Sequence, residues 1–398
     1  MTLRRTAAAF ALFTALTCPT WAAAQDVPPV VTAILKNWET QFKVKPTYKS
    51  IAGDASNTTI EGVEASLPVD GGGAMKMSVG KIELKNIADQ GSGLYEIGQA
   101  TYSDLKMDIG AEGQAITVSI PQSSAESWYV KLIGDNPTPA DQFRAAMSIT
   151  RKMTSGPITV TAAGQTFTAD GIETAWEGDP LTGAGKSSGK ISNIAIPETA
   201  LAMMDPTGTL KGLGYSSLSF DLGGEGTLTN DGTSFGLDFD GYYAAKDMGT
   251  VKIGGGVSGV PIAAISELQK AGAGKEPDMN AMMPQFMGVQ VSRVVFRFED
   301  ASITKKLLPL IAQMQGMDEA TFVANAGAMA QLGLAELKNP EFTAEAVAAI
   351  GNFLKDPQSI TVSVRPPAPV PVGQLMALDP ANPGAAIQQL GISVKSND

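Results

Sequence analysis

The chain has 398 residues, of which 43 are glycine, 24 are proline and 17% are charged, and its formal net charge at pH 7 is −11. The hydrophobic fraction of 43% is enough for a packed core and excludes a fully disordered chain. Histidine is absent and Cys18 is the single cysteine, which excludes Ser-His-Asp catalysis, zinc sites that need histidine and an internal disulfide. The excess of acids argues against nucleic acid and anionic membranes, which both attract basic clusters.

The N-terminus has the pattern of a secretory signal peptide. Two arginines, a short apolar run and three alanines follow one another within the first 24 residues. This pattern predicts a leader over residues 1–24, cleavage between Ala24 and Gln25, and a periplasmic location. Cleavage of this leader would also remove Cys18. Lipidation of Cys18 is the weaker alternative, because the residues before it match a lipoprotein cleavage box poorly. No later segment reaches about 18 uncharged apolar residues, so no membrane span is predicted in the mature chain.

The N-terminal part predicts a helix followed by a long series of strands. Apolar residues at helical spacing predict an amphipathic helix over residues 27–42. From residue 47 to 120, apolar and polar residues alternate as in strands, with glycine-rich turns at 71–73 and 91–93. A second helix is predicted over residues 139–153.

The C-terminal part predicts more strands and then a run of helices. Alternation is clearest between residues 215 and 260, and Val294, Phe296 and Phe298 alternate with Arg293 and Arg297 in a later strand. The helices predicted after that strand cover residues 302–315, 318–337 and 343–354, with short helical turns at 374–378 and 383–390.

A last strand is predicted where Ile360, Val362 and Val364 alternate with polar residues such as Thr361. We expect the three apolar side chains to face the core and Thr361 to face water, so that Val362→Asp is far more damaging than Thr361→Asp.

Together these elements predict an α+β fold. It is a predominantly antiparallel β-sheet body, with a helical hairpin or small bundle from the C-terminal third packed on it. No fixed repeat and no long linker is found, so residues 25–398 are expected to form one elongated β-rich body. A division into residues 25–155 and 156–398 is the alternative that remains open.

Two motifs resemble parts of catalytic or phosphate-binding sites but lack the surrounding features that such sites require. Residues 183–187 read GAGKS, but the spacing of a phosphate-binding loop is absent and a strand follows instead of a helix. Ser302 and Lys305 form a Ser-x-x-Lys tetrad at a predicted helix start, without the other two motifs that serine acyl-transferases of the penicillin-binding type require. A solvated loop and a capped helix with surface lysines are the stronger interpretations.

Two carboxylate pairs have the residue types of glycosidase sites. They are Asp238 with Asp240 and Glu173 with Glu177. Asp238 and Asp240 share the wet face of a predicted alternating strand, where solvated acids are common. No sequence feature separates these carboxylates from ordinary surface charge, so no catalytic residue is assigned.

One segment near the middle of the C-terminal part is unusually rich in methionine. The side chains predicted to form an apolar lip over a ligand are Met279, Met282, Met283, Phe286 and Met287. Thioethers at such spacing could bind Cu(I). Methionine also fills cores and adaptable apolar surfaces, and 17 methionines in the whole chain favour that role. We therefore expect no metal or cofactor, and expect this segment to border an apolar groove.

Short segments of the C-terminal half resemble a known group of proteins. The sequences AKDMGT at 245–250, SITKKLL at 302–308 and NFLKDP at 352–357, followed by RPPAPVP, are similar to uncharacterised secreted proteins of alphaproteobacteria. This resemblance covers residues 210–394 and implies no activity or site residue. The paired strands at 215–260 resemble, in style, the long sheets of AsmA-like envelope proteins, which implies an apolar-lined β groove that handles lipid.

Two classes of function remain open. The first is a non-enzymatic periplasmic envelope protein that binds a lipid or other apolar ligand in a β groove, or a protein partner. The alternative is a hydrolase without recognisable motif that uses Ser and Lys or carboxylates. The missing histidine and the failure of each motif favour the first class.

Overall fold

A computed structural model describes residues 27–42, 44–69, 73–111, 114–134, 136–147, 149–265 and 279–398. The predicted leader lies outside the described residues. The chain divides into two compact units. The N-terminal unit runs to Ile196 and includes residues 230–233, and the C-terminal unit consists of Pro197–Thr229, Ser234–Ala264 and the described residues from 279 onward. The predicted α+β class is confirmed, whereas the single elongated body stays a prediction.

An antiparallel sheet forms the N-terminal unit. Its strands are β1 (Ser50–Gly53), β2 (Thr58–Val69), β3 (Gly73–Gly91), β4 (Leu94–Ala111), β5 (Gln114–Lys131), β6 (Ile149–Ser155), β7 (Ile158–Ala162), β8 (Gln165–Ala169), β9 (Gly171–Gly178) and β10 (Gly185–Ile196). Strands β1 to β5 pair in chain order. Both β6 and β7 pair with β5, at different parts of its length, and β10 pairs with β9 and touches β8.

The N-terminal core lies between this sheet and helix α1 (Pro29–Phe42), which forms where the sequence predicts it. Val31 and Trp38 of α1 are 0% and 1% exposed, and they belong to one cluster with Ile60, Leu84 and Ile97 of the first strands. Within stretches of the long strands, alternate residues such as Met77 and Val79 enter this cluster, which explains the period-two pattern there.

Helix α2 (Pro139–Ala146) is shorter than predicted. Thr138 and Asp141 form a capping box at its start. The helix ends at Ala146, and Ile149–Ser155 is strand β6, so the prediction of helix up to residue 153 is wrong. Ile149 and Thr150 are buried against β5, and β-branched side chains favour a strand at such positions.

The C-terminal unit combines antiparallel strands with most of the helices. Its strands are β11 (Leu218–Asn230), β12 (Ser234–Ala245), β13 (Gly249–Pro261), β14 (Gln290–Asp300), β15 (Ser359–Val364), β16 (Val370–Pro371) and β17 (Ile392–Ser396). Strands β12 to β15 pair in chain order, β16 extends the pairing of β14, and β17 pairs with β15. Strand β11 runs beside β12, where the Lys246 amide donates to the Ser219 carbonyl at 2.9 Å.

The helices of this unit are α3 (Glu198–Met204), α4 (Thr209–Gly212), α5 (Met279–Phe286), α6 (Ile303–Met314), α7 (Glu319–Ala335), α8 (Pro340–Lys355), α9 (Val372–Met376) and α10 (Pro383–Leu390). Helix α8 packs on the sheet through Phe342, Ala346 and Ala349, which cluster with Ile387 of α10 and Val394 of β17. Helix α7 lies against α8, and α6 against α7. Within the described ranges, none of the helices has the length and apolar character needed to cross a membrane.

Candidate functional site

Strands β12 to β15 place apolar residues in rows on one face of the C-terminal sheet. Ile253 pairs with Phe296 across β13 and β14, and Phe296 pairs with Val362 across β14 and β15. Directly opposed residues of antiparallel strands share a face, as do residues two apart on a strand. The three rows are therefore Tyr243, Val251, Phe298 and Ile360; Gly241, Ile253, Phe296 and Val362; and Phe239, Gly255, Val294 and Val364.

Six of the ten side chains in these rows, which also contain two glycines, are exposed to water. Their exposed fractions lie between 37% and 50%, although all of them are large and apolar. We call this set the open apolar face; it consists of Phe239, Tyr243, Ile253, Val294, Phe296 and Val362. At such fractions, the set leaves roughly 500 Å² of contiguous apolar surface in water, which is at the size that marks interaction sites on monomers.

The exposure of Val362 corrects the prediction for the last strand. Val362 is 40% exposed, whereas Ser359 and Ser363, on the other face of β15, are 3% and 9% exposed. The Ser363 Oγ lies 2.9 Å from the Ser393 Oγ of β17. The alternation of β15 is as predicted, but the expectation that Val362 faces the core is wrong because helical cover does not extend to it.

Helix α8 covers the other end of the same face. Ile360 packs against the cluster around Phe342 and Ala346, and the ring of Phe298 meets that of Phe353 edge-on, with centroids 6.2 Å apart. The side chains beyond this contact, on β12 to β15, keep the exposure given above. The open apolar face is thus the uncovered remainder of a face that the helices cover elsewhere.

Tyr243 marks the edge of the open apolar face towards β11. Its ring lies 5.0 Å from the ring of Phe220, centroid to centroid, and Phe220 is 8% exposed. Partial burial of the Tyr243 hydroxyl raises its pKa above the usual value, because the phenolate loses hydration there. Among the twelve positions of the three rows, the Tyr243 hydroxyl is the one polar group carried by a side chain.

The opposite face of the same strands is ionic. The Arg293 guanidinium of β14 donates to both carboxylates of β12, with Nη2 2.8 Å from Asp238 Oδ1 and Nη1 2.8 Å from Asp240 Oδ1. The side-chain hydrogen bond from Arg293 holds the pKa of Asp238 below the usual range; desolvation acts in the opposite direction, and the charge of Arg293 adds to the lowering. This carboxylate pair is therefore committed to Arg293 and is poorly placed for acid–base catalysis.

A second set of ion pairs continues along the ionic face. Glu299 accepts from Lys252 Nζ and from Arg297 Nε, each at 2.8 Å, and Arg297 also reaches the carboxylate of Asp398. The hydrogen bond from Lys252, followed by that from Arg297, lowers the pKa of Glu299. Charge is thus paired on one face while the other exposes hydrocarbon.

The methionine-rich segment predicted as a lip forms α5 and the turn after it. Met283 and Met287 are 37% and 38% exposed, and Phe286 is half-buried. Met287 lies against α9, where a Cβ on Gly373 would be 3.3 Å from the Met287 sulfur. Met279 and Met282 belong to α5, but their side chains lie outside what the structure describes. Their role as a lip stays a prediction.

Methionines are distributed unevenly between the two units. In the described part of the N-terminal unit they are buried or half-buried, as for Met77 and Met107 at 2% and 7% exposure. Among the methionine side chains that the structure describes, the exposed ones belong to the C-terminal unit and are Met203, Met204, Met283, Met287, Met314, Met329 and Met376. Flexible, polarisable methionine side chains are typical of adaptable apolar binding surfaces.

The other candidates from the sequence do not assemble into a catalytic site. Ser302 Oγ donates to the Asp247 carbonyl and lies 3.0 Å from the Tyr215 hydroxyl, while Lys306 Nζ sits 3.8 Å from the centre of the Tyr215 ring. The predicted capping bond from the Ser302 side chain is absent. Over the residues that the structure describes, no cluster of three or more acids or cysteines could hold a metal ion.

The second carboxylate pair lies on the surface, and the GAGKS segment passes from the buried Gly183 to the exposed Lys186 and Ser187. Glu173 and Glu177 are exposed on β9. Residues 183–187 lead from a turn into β10, with Gly183 at φ 78°, so no helix N-terminus faces this segment. A shallow cavity of about 540 Å³ in the N-terminal unit is lined by residues of both charges, including Lys45, Lys76 and Asp108.

Sequence reasoning identified the strands that carry the open apolar face but missed its exposure. The alternation of Phe296 with Arg293 and Arg297 correctly separated the two faces. The sequence did contain one signal: these strands carry more large apolar residues than the predicted helices could bury. The extent of that burial is known once α8 is placed on β15 and β17.

The comparisons with known proteins concern the same unit. A family model described as "Uncharacterized protein" matches residues 242–397, which is similarity over the C-terminal part of the chain. This match agrees with the resemblance expected for residues 210–394 at the coarse level of an uncharacterised family. No curated protein matches the chain.

Proposed function

We propose that this chain is a non-enzymatic binding protein of the cell envelope, and that the open apolar face is its binding surface. The observation that carries the proposal is the row of Ile253, Phe296 and Val362, which are 50%, 45% and 40% exposed on adjacent strands. A sheet with one wet face normally presents polar side chains there. In this sheet the charged side chains lie on the ionic face. The side chains of the open apolar face are nevertheless also exposed to water.

Exposed hydrocarbon of this extent is costly to solubility and favours aggregation, so it is usually retained for binding. The ionic face is saturated by Arg293 and Arg297 with their carboxylates, and this pairing rigidifies the strands that hold the open apolar face. A rigid apolar surface with few polar groups suits an apolar ligand or the apolar part of an amphipathic one.

The cellular setting is part of the proposal. The leader over residues 1–24 supports export and cleavage at Ala24, and hence a periplasmic protein. The absence of histidine and the commitment of Asp238 and Asp240 to Arg293 weigh against a hydrolase. The segment with Met283, Phe286 and Met287 is proposed as a second, adaptable contact for the same kind of ligand.

A hydrophobic fluorescent probe tests the binding surface. We expect 1-anilinonaphthalene-8-sulfonate to bind the native protein, and the double variant Ile253→Ser/Phe296→Ser to weaken binding by roughly tenfold at an unchanged melting temperature. Matched controls are Leu181→Ser in the N-terminal unit and Met376→Ser on α9, which remove equally exposed apolar side chains elsewhere, at 48% and 58% exposure.

Equal binding by the double variant and the controls would refute the proposal, as would a native protein that binds no probe. Met283→Ser/Phe286→Ser reports separately on the predicted lip. A loss of probe binding without a loss of stability would support it, and unfolding of that variant would show that the segment is core.

A further inference from the structure

We infer that the occupant of the open apolar face is the acyl chain of a lipid. This inference rests on the proposed function and narrows it from apolar ligands in general to one chemical class. It depends on three features of the face: its lack of hydrogen-bonding groups, its size, and a depression in its floor.

The face offers almost nothing for a peptide to recognise. Strands β13 and β14 are each paired on both sides, so their backbone amides and carbonyls are used within the sheet. An extra strand cannot be added there, and strand addition is the usual way in which a sheet binds an extended peptide. Apart from the Tyr243 hydroxyl the side chains of the rows are hydrocarbon, so an extended peptide would bury its own backbone polar groups without partners.

The size of the face is smaller than a stable protein interface, so a second copy of this chain would have to bury further surface around it. Stable protein interfaces bury about 800 Å² on each partner, whereas the open apolar face provides roughly 500 Å². Its three rows span about 14 Å along the strands, and its four strands span about 14 Å across them. A surface of this extent is large for a small aromatic compound and suits a flexible hydrocarbon chain.

The floor of the face has a depression at Gly241. Above Gly241, a Cβ would meet its nearest neighbour at 3.6 Å, the Gly223 carbonyl oxygen, so the space is open between Phe239 and Tyr243. Phe239 leans over Gly255, where a Cβ would lie 2.9 Å from its ring. The side chains of Phe239, Tyr243 and Ile253 therefore border a dip of about one side chain in depth, into which a methylene chain can settle.

The charge balance indicates that the polar end of the lipid contributes little to binding. The whole chain carries 40 acids against 29 basic residues, and the basic side chains nearest the site, Arg293 and Arg297, are paired on the other face. An anionic head group gains no charge partner at the open apolar face. The acyl chain, rather than the head group, then accounts for binding.

The depression allows a test that separates a chain-binding trough from a merely apolar patch. Gly241→Val adds hydrocarbon to the face but fills the dip, and the open space above Gly241 makes it compatible with the fold. We expect this variant to bind cis-parinaric acid roughly tenfold more weakly while it binds 1-anilinonaphthalene-8-sulfonate as the native protein does. Ile253→Ser should weaken the binding of both probes.

Competitors establish the class and source of the chain. Bound parinaric acid should be displaced by palmitate far better than by octanoate. Displacement by lysophosphatidylcholine at similar concentration would assign the site to acyl chains of phospholipids as well as free fatty acids, and its failure would restrict the site to free fatty acids.

Other outcomes overturn the inference. If Gly241→Val binds parinaric acid as tightly as the native protein, the dip is not occupied by a chain. If anilinonaphthalenesulfonate binds but no fatty acid does, the proposed function stands and the acyl chain is wrong. If sedimentation shows a dimer that Phe296→Ser dissociates, the occupant is a second copy. If neither probe binds, both proposals fail.

Discussion

Arg293 and Asp240 form a two-pronged ion pair although a whole strand separates them. Arg293 Nη1 lies 2.8 Å from Asp240 Oδ1, and Nη2 lies 2.7 Å from Asp240 Oδ2. The intervening strand β13 carries Gly254 and Gly256 opposite these residues, so nothing projects between the arginine and the carboxylates. A Cβ at Gly254 would overlap Asp240 Oδ1 and lie 2.7 Å from Arg293 Nη1.

The first prediction concerns these glycines. Gly254→Ala should be less stable than Gly241→Ala by about 1 kcal/mol, because the new methyl group separates the ion pair on the ionic face. Both substitutions gain the same benefit from replacing a glycine within a strand, and at Gly241 the nearest atom is 3.6 Å away. Urea denaturation of the two variants measures the difference. Equal stability would mean that the ion pair contributes nothing to folding.

The second prediction is a pH dependence. The folded protein holds the pKa of Asp238 below its value in the unfolded chain, through hydrogen bonds and charge from Arg293. The stabilisation is therefore present above about pH 4 and is lost as the pH falls through the lower, folded pKa. We expect Arg293→Gln to reduce the free energy of unfolding by less than about 1 kcal/mol at pH 7, since Asp238 is largely exposed, and by less still at pH 3.

The control for this profile is Arg365→Gln, which removes an exposed arginine outside the ion pairs found in the described chain. Its effect should not change between pH 7 and pH 3. Denaturant unfolding at both pH values supplies the comparison. A difference between wild type and Arg293→Gln that grows towards acid would contradict the assigned direction.

The third prediction uses two residues of one strand. Ile360 and Val362 share a face of β15, but Ile360 packs with the cluster beneath α8 and Val362 is 40% exposed. Ile360→Ser should lower the free energy of unfolding by about 2 kcal/mol and Val362→Ser by less than about 1 kcal/mol. Thermal or urea unfolding of both distinguishes them. Equal losses would show that the face is covered at Val362.

This contrast shows what the sequence determines and what it leaves open. Alternation places Val294, Phe296 and Phe298 on one face and Arg293 and Arg297 on the other, because the period of a strand is fixed by its geometry. It does not state which face is covered. Cover depends on where α8 docks, and its buried residues contact β15 and β17 rather than β12 and β13.

The helices of the C-terminal unit were the most predictable elements. The expected helix at 343–354 corresponds to α8 (Pro340–Lys355), where apolar side chains recur on one stripe and Asn339 caps the first turn. The helix expected up to residue 153 failed at Ile149, because a short stretch with Ile149 and Thr150 can satisfy either pattern. Pairing with β5, a contact distant in sequence, decides the outcome.

The ion pair of Arg293 was beyond sequence reasoning for a different reason. Asp238 and Asp240 lie more than 50 residues before it, and their partner becomes identifiable once β13 is known to lie between them with glycines in register. The pair of carboxylates that resembled a catalytic dyad is thereby explained as part of a structural cluster.

The last prediction concerns a buried cation in the N-terminal unit. Arg144 of α2 is 5% exposed and donates to backbone carbonyls of Pro180 at 2.9 Å, Met147 at 3.3 Å and Tyr129 at 3.4 Å. Burial lowers the pKa of Arg144 to about 10, although the charge of Asp179 acts in the opposite direction. The Arg144 side chain thus links α2, β5 and the turn before β10. It does so through backbone carbonyl acceptors that are buried away from water.

Arg144→Met should lower the free energy of unfolding by about 2–4 kcal/mol, because it leaves these buried carbonyls without a donor while it keeps much of the packing volume. The matched control is Arg151→Met on β6, an exposed arginine whose Nε lies 3.3 Å from the Tyr129 hydroxyl, and it should change stability little. Urea denaturation followed by circular dichroism compares the two. If both variants are equally stable, water reaches the carbonyls of Pro180 and Tyr129, and Arg144 does not organise this corner of the unit.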